Sequence, residues 1–260
     1  MNPIIKFQKE VTKNIQRLGE ATELPKDSLD WMVKVGVIGS YCYNFKWLDR
    51  PIIQYPQDII AIQELIWKIK PDLIIETGIA HGGSLIFSAS MLALLDVCDA
   101  IEQGHTLNPK VSQRRVLGID IDIRSHNRTV IESHPMFSRI QMLEGSSIDP
   151  SIVEEVYGIA DNYQRILICL DSNHTHDHVL AELEAYASLT SVGSYCVVFD
   201  TIIEDMPEEF FGDRPWGKGN NPKTAVWEFL KTHPEFEIDK DIEAKLLITV
   251  APDGYLKRVK

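Results

Sequence analysis

Four acids end short apolar runs: Glu76 after Leu73-Ile74-Ile75, Asp120 after Val116-Leu117-Gly118-Ile119, Asp171 after Ile166–Leu170 and Asp200 after Tyr195–Phe199. His174 follows Asp171 by three residues. An apolar run that ends in a polar residue and a turn reads as a buried strand of an open α/β sheet, whose ligands gather outside the strands' carboxyl ends. Asp171 and Asp200 would converge across the mouth of such a sheet. Two carboxylates plus waters satisfy the octahedron of magnesium without a full protein cage, so this pair is the expected metal site, with Thr201 or Asn173 adding an oxygen. His174 lies within reach of a hydroxyl bound on the same rim, and an imidazole can take a proton near neutral pH. It is the expected catalytic base. His176 and His178 read as solvated or capping. A zinc or iron site built from the three histidines is disfavoured, because His178 begins a helix and no H-x-D pair occurs.

Glu76-Thr77-Gly78-Ile79-Ala80-His81-Gly82-Gly83-Ser84 reads as the first strand–loop–helix of that sheet. Gly78 permits a positive φ, Gly82 and Gly83 would let a ligand approach the backbone, and Ser84 is the expected cap of helix Leu85–Leu95. The spacing matches neither a phosphate-gripping P-loop nor the G-x-G-x-x-G of dinucleotide folds. An acid ahead of the glycines suits an ammonium-bearing ligand, and S-adenosylmethionine fits. Asp120 could accept both ribose hydroxyls, with Asp122 its rival. Glu144-Gly145-Ser146-Ser147 could edge an adenine ring.

Strands are expected at 73–76, 115–120, 140–143, 166–170 and 195–200, with helices 85–95, 126–133, 152–163 and 178–188 between them. Helix 224–232 then precedes strands 236–238 and 246–250, joined by a short connection as an antiparallel edge hairpin. This is a doubly wound, Rossmann-like, mostly parallel sheet of seven strands. Amphipathic helices fill residues 1–35, followed by an aromatic segment, Tyr41–Pro56. The expected division is a cap, 1–57, and a catalytic domain, 58–260. The connection 202–221 is long enough for a lid or an acceptor-binding loop.

The 260 residues carry a formal charge of −12, which argues against nucleic acid or an anionic membrane as partner. Cys42, Cys98, Cys169 and Cys196 form no C-x-x-C pair and read as free thiols of a reducing compartment. With no signal peptide and no uninterrupted apolar span of bilayer length, a cytoplasmic protein without membrane partners is expected.

From Tyr41 to the C-terminus the chain resembles the cephalosporin hydroxylase / rhamnosyl O-methyltransferase family. The residues that carry the resemblance are Tyr43–Trp47, Arg50–Gln54, Glu76–Ser84, Gly118–Asp122, Glu144–Ser147, Asp171–His176 and Pro215–Pro222. It implies a class I S-adenosylmethionine fold and a magnesium-dependent O-methyltransferase, forming homo-oligomers and acting on a sugar or natural-product hydroxyl. The resemblance implies that Glu76, Gly78, Asp120 and Ser147 line the cofactor site, and the full set expected there adds Thr77, His81, Gly82, Ser84, Ser146 and Asp171. The implied metal site is Asp171 with Asp200, and Thr201 stands where related macrolide sugar methyltransferases carry a second acid. Two other functions compete: a hydroxylase component, which needs an iron site, and a non-catalytic cofactor-binding subunit docked through Tyr41–Pro56.

Overall fold

The computed structural model describes residues 2–109 and 111–260. Two helices open the chain, α1 (Pro3–Glu20) and α2 (Leu24–Gly39), followed by a small antiparallel hairpin of β1 (Phe45–Trp47) and β2 (Arg50–Ile52). Then come α3 (Pro56–Ile69), β3 (Leu73–Thr77), α4 (Gly83–Gln103), β4 (Arg115–Asp120), α5 (Ser125–Ser133) and β5 (Ile140–Glu144). The second half runs α6 (Pro150–Ala160), β6 (Ile166–Leu170), α7 (His176–Tyr186), β7 (Tyr195–Val198), α8 (Pro222–Phe229), β8 (Phe236–Ile238), α9 (Lys240–Leu246) and β9 (Tyr255–Arg258).

The sheet order is β5-β4-β3-β6-β7-β9-β8, parallel except where β9 meets β7 and β8. Every residue of β3, β6 and β7 is buried, as strands covered on both faces must be. Two apolar layers provide that cover. One packs Ile62, Ile66, Leu85, Ile86 and Leu92 against one face, and the other packs Val156, Leu183, Val226 and Phe229 against the opposite face. Strand order reverses between β3 and β6, so their carboxyl ends flank the crevice where such sheets hold ligands.

Two elements differ from expectation. Residues 246–250 form no strand: α9 runs to Leu246, and Leu247 turns the chain at φ +60. Buried Asp58 takes the Thr249 hydroxyl and the Val250 N–H, giving this segment a side-chain partner in place of a sheet neighbour. The edge hairpin instead pairs β8 with β9 across a connection that contains α9. The second difference is β7, which stops at Val198 because Asp200 adopts a left-handed φ of +55 ahead of a short 3-10 turn, Thr201–Glu204.

By length and mean hydropathy, α4 could cross a membrane, despite the interruptions at Asp96 and Asp99. Its packing is that of a core helix, with Leu85, Ile86, Ala89 and Leu92 at zero exposure.

Candidate functional site

The glycine turn after β3 is held by the protein itself. The Gly78 N–H donates to the Ile119 carbonyl, and a Cβ at Gly78 would lie 2.0 Å from the Asp171 carbonyl oxygen. With φ +88 as well, this position requires glycine twice over. A Cβ on Gly83 would lie 2.1 Å from the Pro51 carbonyl, so the β1–β2 hairpin occupies the space expected for a ligand there. Gly82, at φ +81, is the residue before α4, which places Ser84 inside the first turn rather than at the cap. The Ser84 and Ser88 hydroxyls instead donate to Glu76, a buried carboxylate whose pKa burial raises and these bonds lower.

Asp120 ends β4 as expected, and its carboxylate closes the turn. Oδ2 accepts the N–H groups of Ile79 (2.8 Å) and Ala80 (3.2 Å), and Oδ1 accepts that of Asp122 (3.1 Å). Exposed Asp122 thus supports Asp120 through its backbone. On the far side Arg50 donates to the His81 carbonyl and Asn127 to that of Ala80, and His81 itself is half-buried. This clamp reaches across three segments distant in sequence.

The second rim lies after β6 and β7. Asp171 is tied down by its N–H, which bonds the Thr77 carbonyl at 3.0 Å and the Thr77 hydroxyl at 3.2 Å. His174 Nε2 stands 3.3 Å from Asp200 Oδ2, and one ligand atom from each of Asp171, His174 and Asp200 falls within 4.8 Å of the others. Among the described residues the Asp171 carboxylate accepts a single side-chain hydrogen bond, from the Gln54 amide at 3.4 Å. Burial drives the Asp171 pKa well above the carboxylate range, and the charge of Asp200 adds to it. Two acids that repel each other without a paired cation make a donor set shaped for one.

Neither neighbouring oxygen expected in that shell joins the cluster. Thr201 is fully buried and donates to the Pro252 carbonyl at 2.6 Å. Asn173 Oδ1 accepts from the Thr175 N–H and hydroxyl, closing a local turn. The other histidines are engaged rather than solvated: His176 with Thr224 (2.8 Å) and Glu228 (3.3 Å), and His178 with Ser147 (3.1 Å) and Ser172 (3.2 Å). Glu182, at zero exposure, takes the hydroxyls of Ser147 and Ser172 and so joins the loops after β5 and β6. Ser147 is therefore a buried brace whose hydroxyl is already used, while Ser146 stays half-buried on the rim.

The 202–221 connection is folded. Glu204 accepts from the Gly219 N–H (2.7 Å) and the Asn221 amide (2.5 Å), and Asn221 caps α8 through a capping box. The loop lays Trp216 edge-on to His174 at 4.8 Å, with the Arg214 guanidinium 5.1 Å from the centre of the Trp216 ring. Across the cluster, Trp31, Tyr41, Phe45 and Tyr55 pack edge to face or tilted, beside Phe210 and Phe211. Burial, and then the Asp200 charge, push the Cys42 thiol up to about 11. The aromatic wall and the acids therefore share one region.

Comparison with known proteins gives the family and the fold. Residues 39–259 match the family model described as rhamnosyl O-methyltransferase/CmcI. A rhamnosyl O-methyltransferase of Mycobacterium tuberculosis (strain ATCC 25618 / H37Rv) is 30% identical over 204 residues, covering 77% of this chain and 73% of that protein. One from Mycobacterium leprae is 26% identical over 239 residues, covering 90% and 92%. Among solved structures, an apo form of CmcI superposes with a TM-score of 0.53 at 17% identity, over 84% of this chain and 77% of its own. A CmcI structure with Mg and SAM gives 0.53 at 16% identity, over 84% and 78%. At such identities the structures establish the shared fold.

Proposed function

The chain belongs to the rhamnosyl O-methyltransferase/CmcI family and is a methyltransferase, and from that premise we propose that it methylates a sugar hydroxyl. The methyl donor in this reading is S-adenosylmethionine, bound along the Glu76–Ser84 turn with Asp120 facing the ribose. The observation that carries it is the convergence of Asp171, His174 and Asp200 at the reversal point of the sheet, beside that turn.

Magnesium fits the donor set, and Asp171 and Asp200 would hold it. When bound, the ion supplies positive charge that orients an acceptor hydroxyl and lowers its pKa. Asp171 is fixed for this by the backbone bonds to Thr77 and by Gln54. His174 takes the proton of the attacking hydroxyl, and Asp200, 3.3 Å from its Nε2, fixes the orientation of the ring. Trp216 limits rotation of the imidazole and shields it from bulk water. The chemistry is displacement at a methyl carbon: the C–O bond forms as the S–C bond breaks, so alignment by the two rims is the main task of the protein. The aromatic wall suits the C–H face of a sugar. The cluster offers one imidazole and two carboxylates, a donor set that favours this reading over the two-histidine set of the hydroxylase alternative.

In this reading residues 1–57 form the cap and 58–260 the catalytic domain. The four cysteines, all free thiols, support a reducing compartment. Exposed Ile4, Phe7 and Val11 on α1 support a homo-oligomer.

The test is methyl transfer to a panel of deoxysugar glycosides, with magnesium and with chelator. Activity that chelator abolishes and magnesium restores is expected. Equal rates in both would remove the metal, and no heat on titrating S-adenosylmethionine would remove the donor.

A further inference from the structure

Between α3, α4 and the carboxyl ends of β3 and β6 lies a cavity of about 30 Å3. That is room for one or two small polar groups. Its walls are largely apolar, from Ile52, Ile59, Phe87 and Phe199, but its polar lining is one-sided. Glu76 and Asp171 are acids, the hydroxyls of Ser84 and Ser88 already donate to Glu76, and that of Thr77 accepts the Asp171 N–H. Gln54 also lines it, at 8% exposure. Its amide N–H group is directed to Asp171 Oδ2, whereas its carbonyl Oε1 is buried with no hydrogen-bond partner.

A buried carbonyl without a donor is costly, and in native structures such an atom calls for a specific explanation. Here acceptors outnumber donors: two carboxylates and an orphan carbonyl line the same small space, with the Thr77 hydroxyl beside them. The complementary ligand is a compact cation with several N–H groups. A phosphate or carboxylate would be repelled there, and an apolar group would leave the carbonyl unpaired.

Resting on the cofactor reading above, we infer that Gln54 is a cofactor-binding residue whose Oε1 accepts a hydrogen bond from the α-ammonium of the donor's methionine end, together with Glu76. Its amide simultaneously holds Asp171, so one side chain links the seat of the cofactor's amino-acid end to the carboxylate of the metal rim. Gln54 sits at the end of the hairpin that covers the start of α4, which gives this hairpin a binding role besides packing.

The experiment is calorimetric titration of S-adenosylhomocysteine and of 5′-methylthioadenosine, which lacks the amino-acid end, into wild type, Gln54→Asn and Gln54→Leu. The shorter Asn keeps a polar group should Leu prevent folding. The assignment expects each variant to lose about ten-fold in affinity for S-adenosylhomocysteine and none for 5′-methylthioadenosine. Equal weakening of both ligands, or no change in either, overturns it. Wild type that binds neither ligand defeats the cofactor reading itself and takes the Gln54 assignment with it.

Discussion

The turn after β3 and the rim formed after β6 and β7 lie side by side at the same end of one sheet, yet they solve opposite problems. In the turn, every group of interest is matched from within: Asp120 accepts three backbone N–H groups, Glu76 two hydroxyls, and Gly78 and Gly83 touch neighbouring backbone. On the rim, Asp171 and Asp200 stand together with one imidazole and one long amide bond. A region satisfied from within can be preorganised before any ligand arrives. A region left with like charges stores its binding capacity for a ligand of opposite sign.

Substitutions can break this contrast. Asp171→Asn should have the largest effect, abolishing magnesium-dependent turnover by about 1,000-fold or more while leaving thermal stability unchanged or raised, because it relieves a buried repulsion. Turnover assays and thermal melts on the same preparation check it, and a large loss of stability would show that the rim is braced like the turn.

His174→Ala follows, with turnover reduced about 100- to 10,000-fold if the imidazole is the base. Magnesium affinity then stays near wild type. A parallel fall in metal affinity would show that His174 is a ligand, which sharpens the comparison by adding a third donor to the rim.

Gly83→Ala tests the turn. The new methyl would meet the Pro51 carbonyl, and a loss of about 1–3 kcal/mol on denaturant unfolding is expected. An unchanged midpoint would mean the hairpin yields easily and the turn is less rigid than its contacts imply.

The smallest effect concerns Asp58, outside both regions. Burial first, against bonds from Thr249, Val250 and Tyr255, raises its pKa from 3.8 to about 6. Its proton is therefore held more tightly in the folded state. That contribution to stability is complete below about pH 3.8 and is lost as pH rises through about 6. Unfolding free energy measured across this window should fall with pH in wild type and fall less in Asp58→Asn.

Much of this was readable from residue order. The strands 73–77, 115–120 and 166–170 announce themselves as apolar runs closed by polar residues, and the acids that end them lie on the ligand side because parallel strands share one carboxyl end. The reading failed where a distant side chain substituted for a local rule. Residues 246–250 have strand-like composition, but Asp58 claims their donors. Gln54 ends one of the blocks that carry the resemblance, but an amide after a Pro-containing segment fits many roles until Asp171 and the cavity are placed around it.

By itself, then, the sequence determined the α/β class, the glycine turn and the acids available for chemistry, because periodicity, turn residues and strand ends are local properties. Only the tertiary structure decided which of those groups are already spent. Ser147 and Thr201 are committed to Glu182 and Pro252, Gly83 to the hairpin, and Trp216 to His174. A hydroxyl can give its one proton to a ligand only when no partner from elsewhere in the chain has taken it first, and that depends on contacts between segments far apart in sequence.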